Sequence, residues 1–198
     1  MNRRHVLLGA LAALAPISPG IGWAAPTPYR LGAGGATITY TFMLNGAPVK
    51  GTVPVNQADL SIDPGNLSAS TALVSADVRR ARTGLIFATE ALKSASVLDA
   101  NTHPTARFRS TRVTLGPGGR LSDGATLEGD LTLRGATRPI RFDAGLFRAR
   151  GSNANDFNAL MVMLKGKINR RDFGATGYAD LVEDMVGIDI VADIRAAG

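Results

Sequence analysis

From Ala36 onward the chain keeps a two-residue rhythm. In ATITYTFMLNG the apolar residues Ile38, Tyr40, Phe42 and Leu44 fall on every second position, with Thr39, Thr41 and Met43 between them. Such alternation predicts a strand with one buried face, and Asn45-Gly46 predicts the turn that ends it. VKGTVPV repeats the rhythm through Val49, Val53 and Val55. Leu67 to Val78 is a third extended run, weaker in contrast. Phe108 lies in a fourth, ARFRSTRVTL, which stops at the turn-forming GPGG of Gly116 to Gly119. Ser122-Asp123-Gly124 marks another tight connection.

The second half alternates more cleanly. Leu127, Gly129, Leu131 and Leu133 share one face, and Glu128, Asp130, Thr132 and Arg134 the other. After Gly135, Ile140, Phe142, Ala144 and Leu146 align, followed by Leu160, Val162, Leu164, Gly166 and Ile168. The last run places Val186, Ile188, Ile190, Ala192 and Ile194 together. One stretch, Gly84 to Ala100, has spacing closer to 3.6 than to 2 and predicts a single short helix, shut off by Pro104.

About eight one-sided strands and one helix define an all-β chain whose antiparallel sheet either closes on itself or folds into a sandwich. Closure removes the exposed edges that invite aggregation. At eight strands a barrel interior can be packed solid or hold one small ligand. The residues predicted to face it are Ile38, Tyr40, Phe42, Val53, Phe108, Leu131, Leu133, Phe142, Val162, Leu164, Ile168, Ile188 and Ile190. Arg170 shares the parity of Ile168 and points the same way. Gly51, Gly129 and Gly166 on the inner parity leave room, which favours a cavity; the competing account is that they relieve strand curvature.

The first two dozen residues fall outside this rhythm. Arg3 and Arg4 precede the apolar run VLLGALAALA, which is shorter than the roughly 20 residues a spanning helix needs. Gly22 and Ala24 then supply small residues before a cut after Ala24. This is the layout of a secretory leader over residues 1–24, and the paired arginines also fit the twin-arginine variant. Residues 25–198 read as one exported domain, with the periplasm as its simplest destination. Without Arg3 and Arg4, the 22 basic residues become 20 against 16 acidic, a net of +4. These charges are interspersed, which is compatible with transient contact with an anionic membrane surface but not with a clustered nucleic-acid footprint. Cysteine is absent, so packing and sheet hydrogen bonds hold the domain.

Candidate chemistry is thin. INRRDFG contains Asp-Phe-Gly, the magnesium-binding signature of kinases, but a kinase also needs a Gly-rich loop, a strand lysine and a catalytic-loop Asp and Asn. GAGGA at Gly32 to Ala36 precedes a strand pattern rather than a helix, so it reads as a turn or lead-in and not as a phosphate loop. Beyond the leader, His103 is the one histidine, so a nucleophilic or lipid-acting enzyme would have to use it as base. Zinc lacks ligands, and a carboxylate calcium site near Asp180, Glu183 and Asp184 competes with a solvated turn. Arg170 has two accounts: it pins the bend by pairing with Asp172 or a nearby carbonyl while Phe173 plugs the barrel end, or it meets a ligand oxygen.

Three ordered stretches resemble the YceI-like family: SVLDANTHPTARFRSTRV (Ser96 to Val113), LEGDLTLRGATRPIRFD (Leu127 to Asp143), and INRRDFG with the final strand LVEDMVGIDIVADI. The resemblance implies an eight-stranded lipocalin-like barrel with a helix near its opening. It also implies a non-catalytic periplasmic carrier for a polyisoprenoid lipid, such as a quinone tail or polyprenyl phosphate, with no cofactor besides that ligand. A fatty-acid-type binder and a filled barrel acting in stress protection or protein interaction are the alternatives, and a homodimer stays open. The front of the chain departs from the family: Gly32 stands where members carry an acid, no histidine follows, Val53 replaces a phenylalanine, and His103 stands where an aromatic is common.

Overall fold

Turn chemistry sets the strand order. In the computed structural model, which describes residues 26–118, 124–149, 151–153 and 156–197, each alternating run forms a strand. Residues 1–24, expected to form a leader, and Gly119 and the dipeptide Ser122-Asp123 lie outside these residues. The strands are β1 (Thr27–Leu44), β2 (Ala47–Ile62), β3 (Thr71–Asp77), β4 (Arg82–Thr83), β5 (Thr105–Leu115), β6 (Ala125–Leu133), β7 (Ala136–Arg148), β8 (Ala159–Asn169) and β9 (Met185–Ala196). Asn45 and Gly46, with φ of 49° and 75°, make the tight hairpin between β1 and β2. Arg134 and Gly135, at 50° and 75°, do the same between β6 and β7. Two successive left-handed residues match the right-handed twist of the flanking strands.

The ladder runs β1-β9-β8-β7-β6-β5-β3-β2, and β2 pairs back onto β1, closing an eight-stranded antiparallel barrel. The two-residue β4 adds to β2 through Gly51↔Thr83 and Thr52↔Arg82.

Three bulges shape the wall. Register shifts fall between Leu31 and Ala36 in β1, Val55 and Gln57 in β2, and Ser110 and Arg112 in β5. Each exchanges the inward parity, so β2 turns Val53 and Val55 inward before the shift, then Ala58, Leu60 and Ile62 after it. A bulge also bends its strand and increases twist, which a closing sheet needs. The glycine-rich GAGGA therefore lies inside β1 at a bulge, not in a turn ahead of it.

The helix α1 (Ile86–Lys93) is shorter than the predicted Gly84 to Ala100. Ser94 Oγ donates to the Ala91 carbonyl at 2.7 Å, and Asp99, with φ of 47°, folds the remainder into turns. Leu67–Ala69 and Val78–Arg80 are single 3-10 turns. The barrel end at the start of β1 and the end of β9 is closed by Tyr29, Leu160, Ala192 and Ile194, with Tyr29 Oη donating to the Phe157 carbonyl at 2.7 Å. At the opposite end the barrel meets α1 and the β8–β9 connection.

That connection answers the question raised by INRRDFG. Arg170–Phe173 forms a 3-10 turn ended by Gly174 in the left-handed region, with Phe173 2 % exposed and Arg170 6 %. The Arg170 guanidinium donates to the carbonyls of Ala175, Gly177, Val182 and Glu183 at 2.7–3.1 Å. Its Nη2 lies 3.7 Å from Asp184 Oδ1. The partner acid is therefore Asp184 and not Asp172, which is exposed. One buried cation satisfies the carbonyls of an irregular loop that has no ladder of its own. Arg170→Met keeps the volume but strands those carbonyls. It should lower the unfolding free energy by about 3 kcal/mol, read as a lower urea midpoint; an unchanged midpoint rules the clamp out.

Candidate functional site

The barrel is hollow. A cavity of about 450 Å³ runs from Leu31, Ile62 and Ile194 at the closed end to Phe87, Tyr178 and Leu181 at the helix end. The sequence-predicted residues Ile38, Tyr40, Phe42, Val53, Phe108, Leu131, Leu133, Phe142, Val162, Leu164, Ile168, Ile188 and Ile190 all line it, as does Arg170. Periodicity did not point to Ala58, Leu60 and Ile62, which the β2 bulge turns inward. It also missed Ala88, Leu92, Val97 and Leu98 of the helical segment and Ala175 and Val182 of the β8–β9 connection. For the first group the available signal was the consecutive polar pair Asn56-Gln57 that breaks the alternation; the second group, in irregular segments, left no periodic trace.

The inward glycines explain why the axis stays open, though not by lending their space to a guest. A Cβ built on Gly166 would sit 2.6 Å from Phe142 Cδ1, and one on Gly129 would sit 2.5 Å from Phe108 Cε2. A Cβ on Gly51 would collide with the Tyr40 ring. Tyr40 stands directly opposite Gly51, and Phe142 directly opposite Gly166, on paired strands. Each ring reclines over a missing side chain on the neighbouring strand instead of reaching for the centre. Phe108 and Phe142 then meet edge-on with centroids 5.6 Å apart, and Tyr40 stacks with Phe42 at 6.3 Å. Both spacings are favourable aromatic geometries.

Among the described residues, two polar side chains sit buried deep in the lumen, Tyr40 and Arg170, and both are committed. Tyr40 Oη donates to the Arg82 carbonyl at 3.0 Å, tying β1 to the short β4. Burial raises the Tyr40 phenol well above its ordinary value, so it stays neutral and able to donate. Arg170 turns its N–H groups to the loop carbonyls and its stem to the cavity. This favours its structural role over contact with a ligand oxygen. Ser70, Thr71, Arg107 and Tyr178 border the cavity from half-buried or exposed positions.

The other candidate chemistry is dispersed. His103 packs against the Gly135 turn, where a Cβ would meet its Cε1 at 2.8 Å, and it is not a cavity-lining residue. Asp184 accepts from Arg171 Nε at 2.6 Å, which occupies one acid of the Asp180, Glu183 and Asp184 group. Among the described residues, no three His, Asp or Glu side chains converge in a way that could hold a metal.

An eight-stranded barrel with a greasy lumen, a closed floor and a helix at its other end is a lipocalin-like container. The matched sequence model narrows this: residues 29–194 match the YceI-like domain, and the chain belongs to that family. It is 29 % identical over 147 residues to a UPF0312 protein of Vibrio cholerae serotype O1, covering 71 % of this chain and 74 % of that one. Among solved structures, it resembles BcnA of Burkholderia cenocepacia, with a TM-score of 0.70 at 17 % identity over 84 % of this chain and all of the other. A polyisoprenoid-binding domain from Saccharophagus degradans, implicated in plant cell wall breakdown, shares the fold at a TM-score of 0.59. That match has 12 % identity and covers 88 % of this chain and 100 % of the domain.

Two outcomes follow from the ring and phenol geometry. Gly166→Ala forces the Phe142 ring off the wall, because the Arg141 carbonyl at 2.8 Å blocks the alternative adjustment. It should cost about 1–3 kcal/mol and shrink the lumen, measured by urea unfolding and by xenon uptake in crystals. In the pH dependence, Tyr29 and Tyr40 both have phenols raised above 10.0, chiefly by burial. Their stabilisation is complete below pH 10 and is lost as pH rises through the folded values, because the unfolded chain ionises first. Alkaline unfolding should therefore steepen above pH 10, and Tyr40→Phe should flatten that slope.

Proposed function

We propose that this protein is a non-catalytic carrier for a polyisoprenoid lipid, an isoprenoid quinone or polyprenyl phosphate, held by its tail inside the barrel. The observation that carries this reading is the continuous apolar lumen whose two interior polar side chains already have partners. Among the described residues, the deep lumen leaves no uncommitted donor or acceptor to organise a reacting group, but it offers a chain burial from end to end. The polyisoprenoid-binding domain of Saccharophagus degradans, which shares the fold, supports the same reading. So does the leader-like layout of residues 1–24, which would direct the protein to the periplasm, on the route a long-chain lipid takes between membranes.

The size of the lumen suits such a tail. At roughly 30 Å³ for each small molecular unit, about 450 Å³ takes on the order of 15 carbons. Each buried methylene contributes about 0.8 kcal/mol. The gross gain is then on the order of 10 kcal/mol, from which the cost of association and chain ordering is subtracted. A longer tail must leave part of itself at the mouth. A filled barrel acting without a ligand loses its structural basis, since the inward side chains do not meet along the axis. A fatty-acid chain would satisfy the same walls, so the two lipids have to be set in competition.

Native mass spectrometry of gently purified protein should show an added mass that matches a prenyl lipid, and a four-unit prenyl chain should displace palmitate. A spectrum of bare protein, unaltered by either added lipid, would sink the carrier. Retention of palmitate against excess prenyl chain would shift the assignment to a fatty-acid binder.

A further inference from the structure

We infer that the helix end of the barrel is a docking surface for an anionic lipid bilayer, with the first turn of α1 as its inserted edge. At this end Ile86 is 86 % exposed and Phe87 67 % exposed, beside Leu85 at 39 %. Across the mouth, Tyr178 and Leu181 are about half exposed. These large apolar groups are a cost in water, and they are not scattered. Phe87, Tyr178 and Leu181 line the lumen and face solvent at once, so the apolar surface of the cavity continues outward onto the rim. The rim is held in place: Gly177 N donates to the Ser96 carbonyl at 2.8 Å, joining the β8–β9 connection to the segment after α1, and Asn45 N donates to the Leu181 carbonyl at 2.8 Å.

Charge selects the partner. The elements that carry α1 present Lys50, Arg79, Arg80, Arg82 and Lys93, against Asp77 and Glu90. Those two acids already lie 3.8 Å from Arg79 and Lys93 respectively. Across the mouth, Asp180 and Glu183 are exposed, so the positive lean belongs to the helix side. An exposed apolar turn flanked by arginines is the arrangement of an interfacial anchor: the side chains enter the headgroup boundary while the cations meet anionic lipid. The position of the mouth gives this surface a purpose. A chain that leaves the lumen beside Phe87 passes into hydrocarbon without crossing water. That use rests on the carrier reading, whereas docking itself does not.

The test is flotation of the full-length protein with vesicles of equimolar phosphatidylglycerol and phosphatidylethanolamine, with phosphatidylcholine vesicles for comparison. The wild type should float with the anionic vesicles and only weakly with phosphatidylcholine. Ile86→Glu should lower partitioning by about tenfold or more, and Arg79→Gln with Arg80→Gln by about fivefold for each charge. Leu73→Glu, which alters an exposed leucine on the outer face of β3, should leave flotation unchanged. Ile86 does not line the lumen, so Ile86→Glu should still take up a detergent-delivered prenyl chain as the wild type does. Failure of the wild type to float, equal flotation of Ile86→Glu, or loss of flotation in Leu73→Glu each overturns the docking surface. Flotation by a protein that takes up no prenyl chain overturns the carrier and leaves the docking surface standing.

Discussion

An aromatic ring on the inner wall of a small barrel has to go somewhere, and everything useful about this molecule depends on where it goes. Eight strands enclose a space that inward side chains can fill by themselves. Tyr40, Phe108 and Phe142 are candidates, yet each lies flat over a glycine of the adjacent strand. The glycine gives up its own packing, and the ring covers the backbone that would otherwise be bare. The wall becomes smooth, thick and apolar while the axis stays free. Any side chain at Gly51, Gly129 or Gly166 would push a ring inward, and the container would begin to fill itself.

A hollow core carries a stability cost, because atoms facing a void lose their contacts on one side. With no cysteine to cross-link the chain, the compensation has to come from the wall and the two ends. The wall is a closed ladder with long strands and no free edge. One end is a packed plug around Tyr29, Leu160 and Ile194; the other is an irregular loop bound to a single guanidinium. Arg170 thus does for the β8–β9 connection what a ladder does for a strand, and it keeps the carbonyls of that loop from pointing unpaired into the lumen. The same bond set that stabilises the cap occupies the N–H groups that Arg170 would otherwise turn to a ligand oxygen.

The amount of this that was legible in the sequence follows from how strands write themselves. The clean alternation of β6 to β9 named its inward faces correctly, because no bulge interrupts their pairings. In β1, β2 and β5 the parity changes at a bulge, and a single phase covers only the part of the strand on one side of it. β3 was faint for a different reason: its inward residues are Ala72, Val74 and Ala76, while Leu73 faces solvent. The three inner glycines were noticed, but a one-dimensional pattern cannot tell that the ring filling each gap comes from another strand. Arg170 was placed inward by parity and given two accounts. Deciding between them needed the positions of carbonyls five to thirteen residues later, in a loop with no periodicity.

A lumen of this kind can discriminate by length and bulk of a chain but hardly by the head that chain carries. Discrimination of polar groups comes from leaving a buried partner unsatisfied when the wrong ligand binds, and among the described residues the deep interior holds no spare partner. The departures at the front of the chain point the same way. Gly32, where relatives with an acid could present a charge, lies within the β1 bulge with the Asp193 carbonyl 3.4 Å from where a Cβ would be. Val53 simply adds to the apolar wall. On the carrier reading proposed above, identity of the cargo would then be decided by what the mouth touches. A tail-reading carrier takes the chains that its surroundings present to it, so on that reading the groups flanking Phe87 matter as much to specificity as the greater number of side chains within.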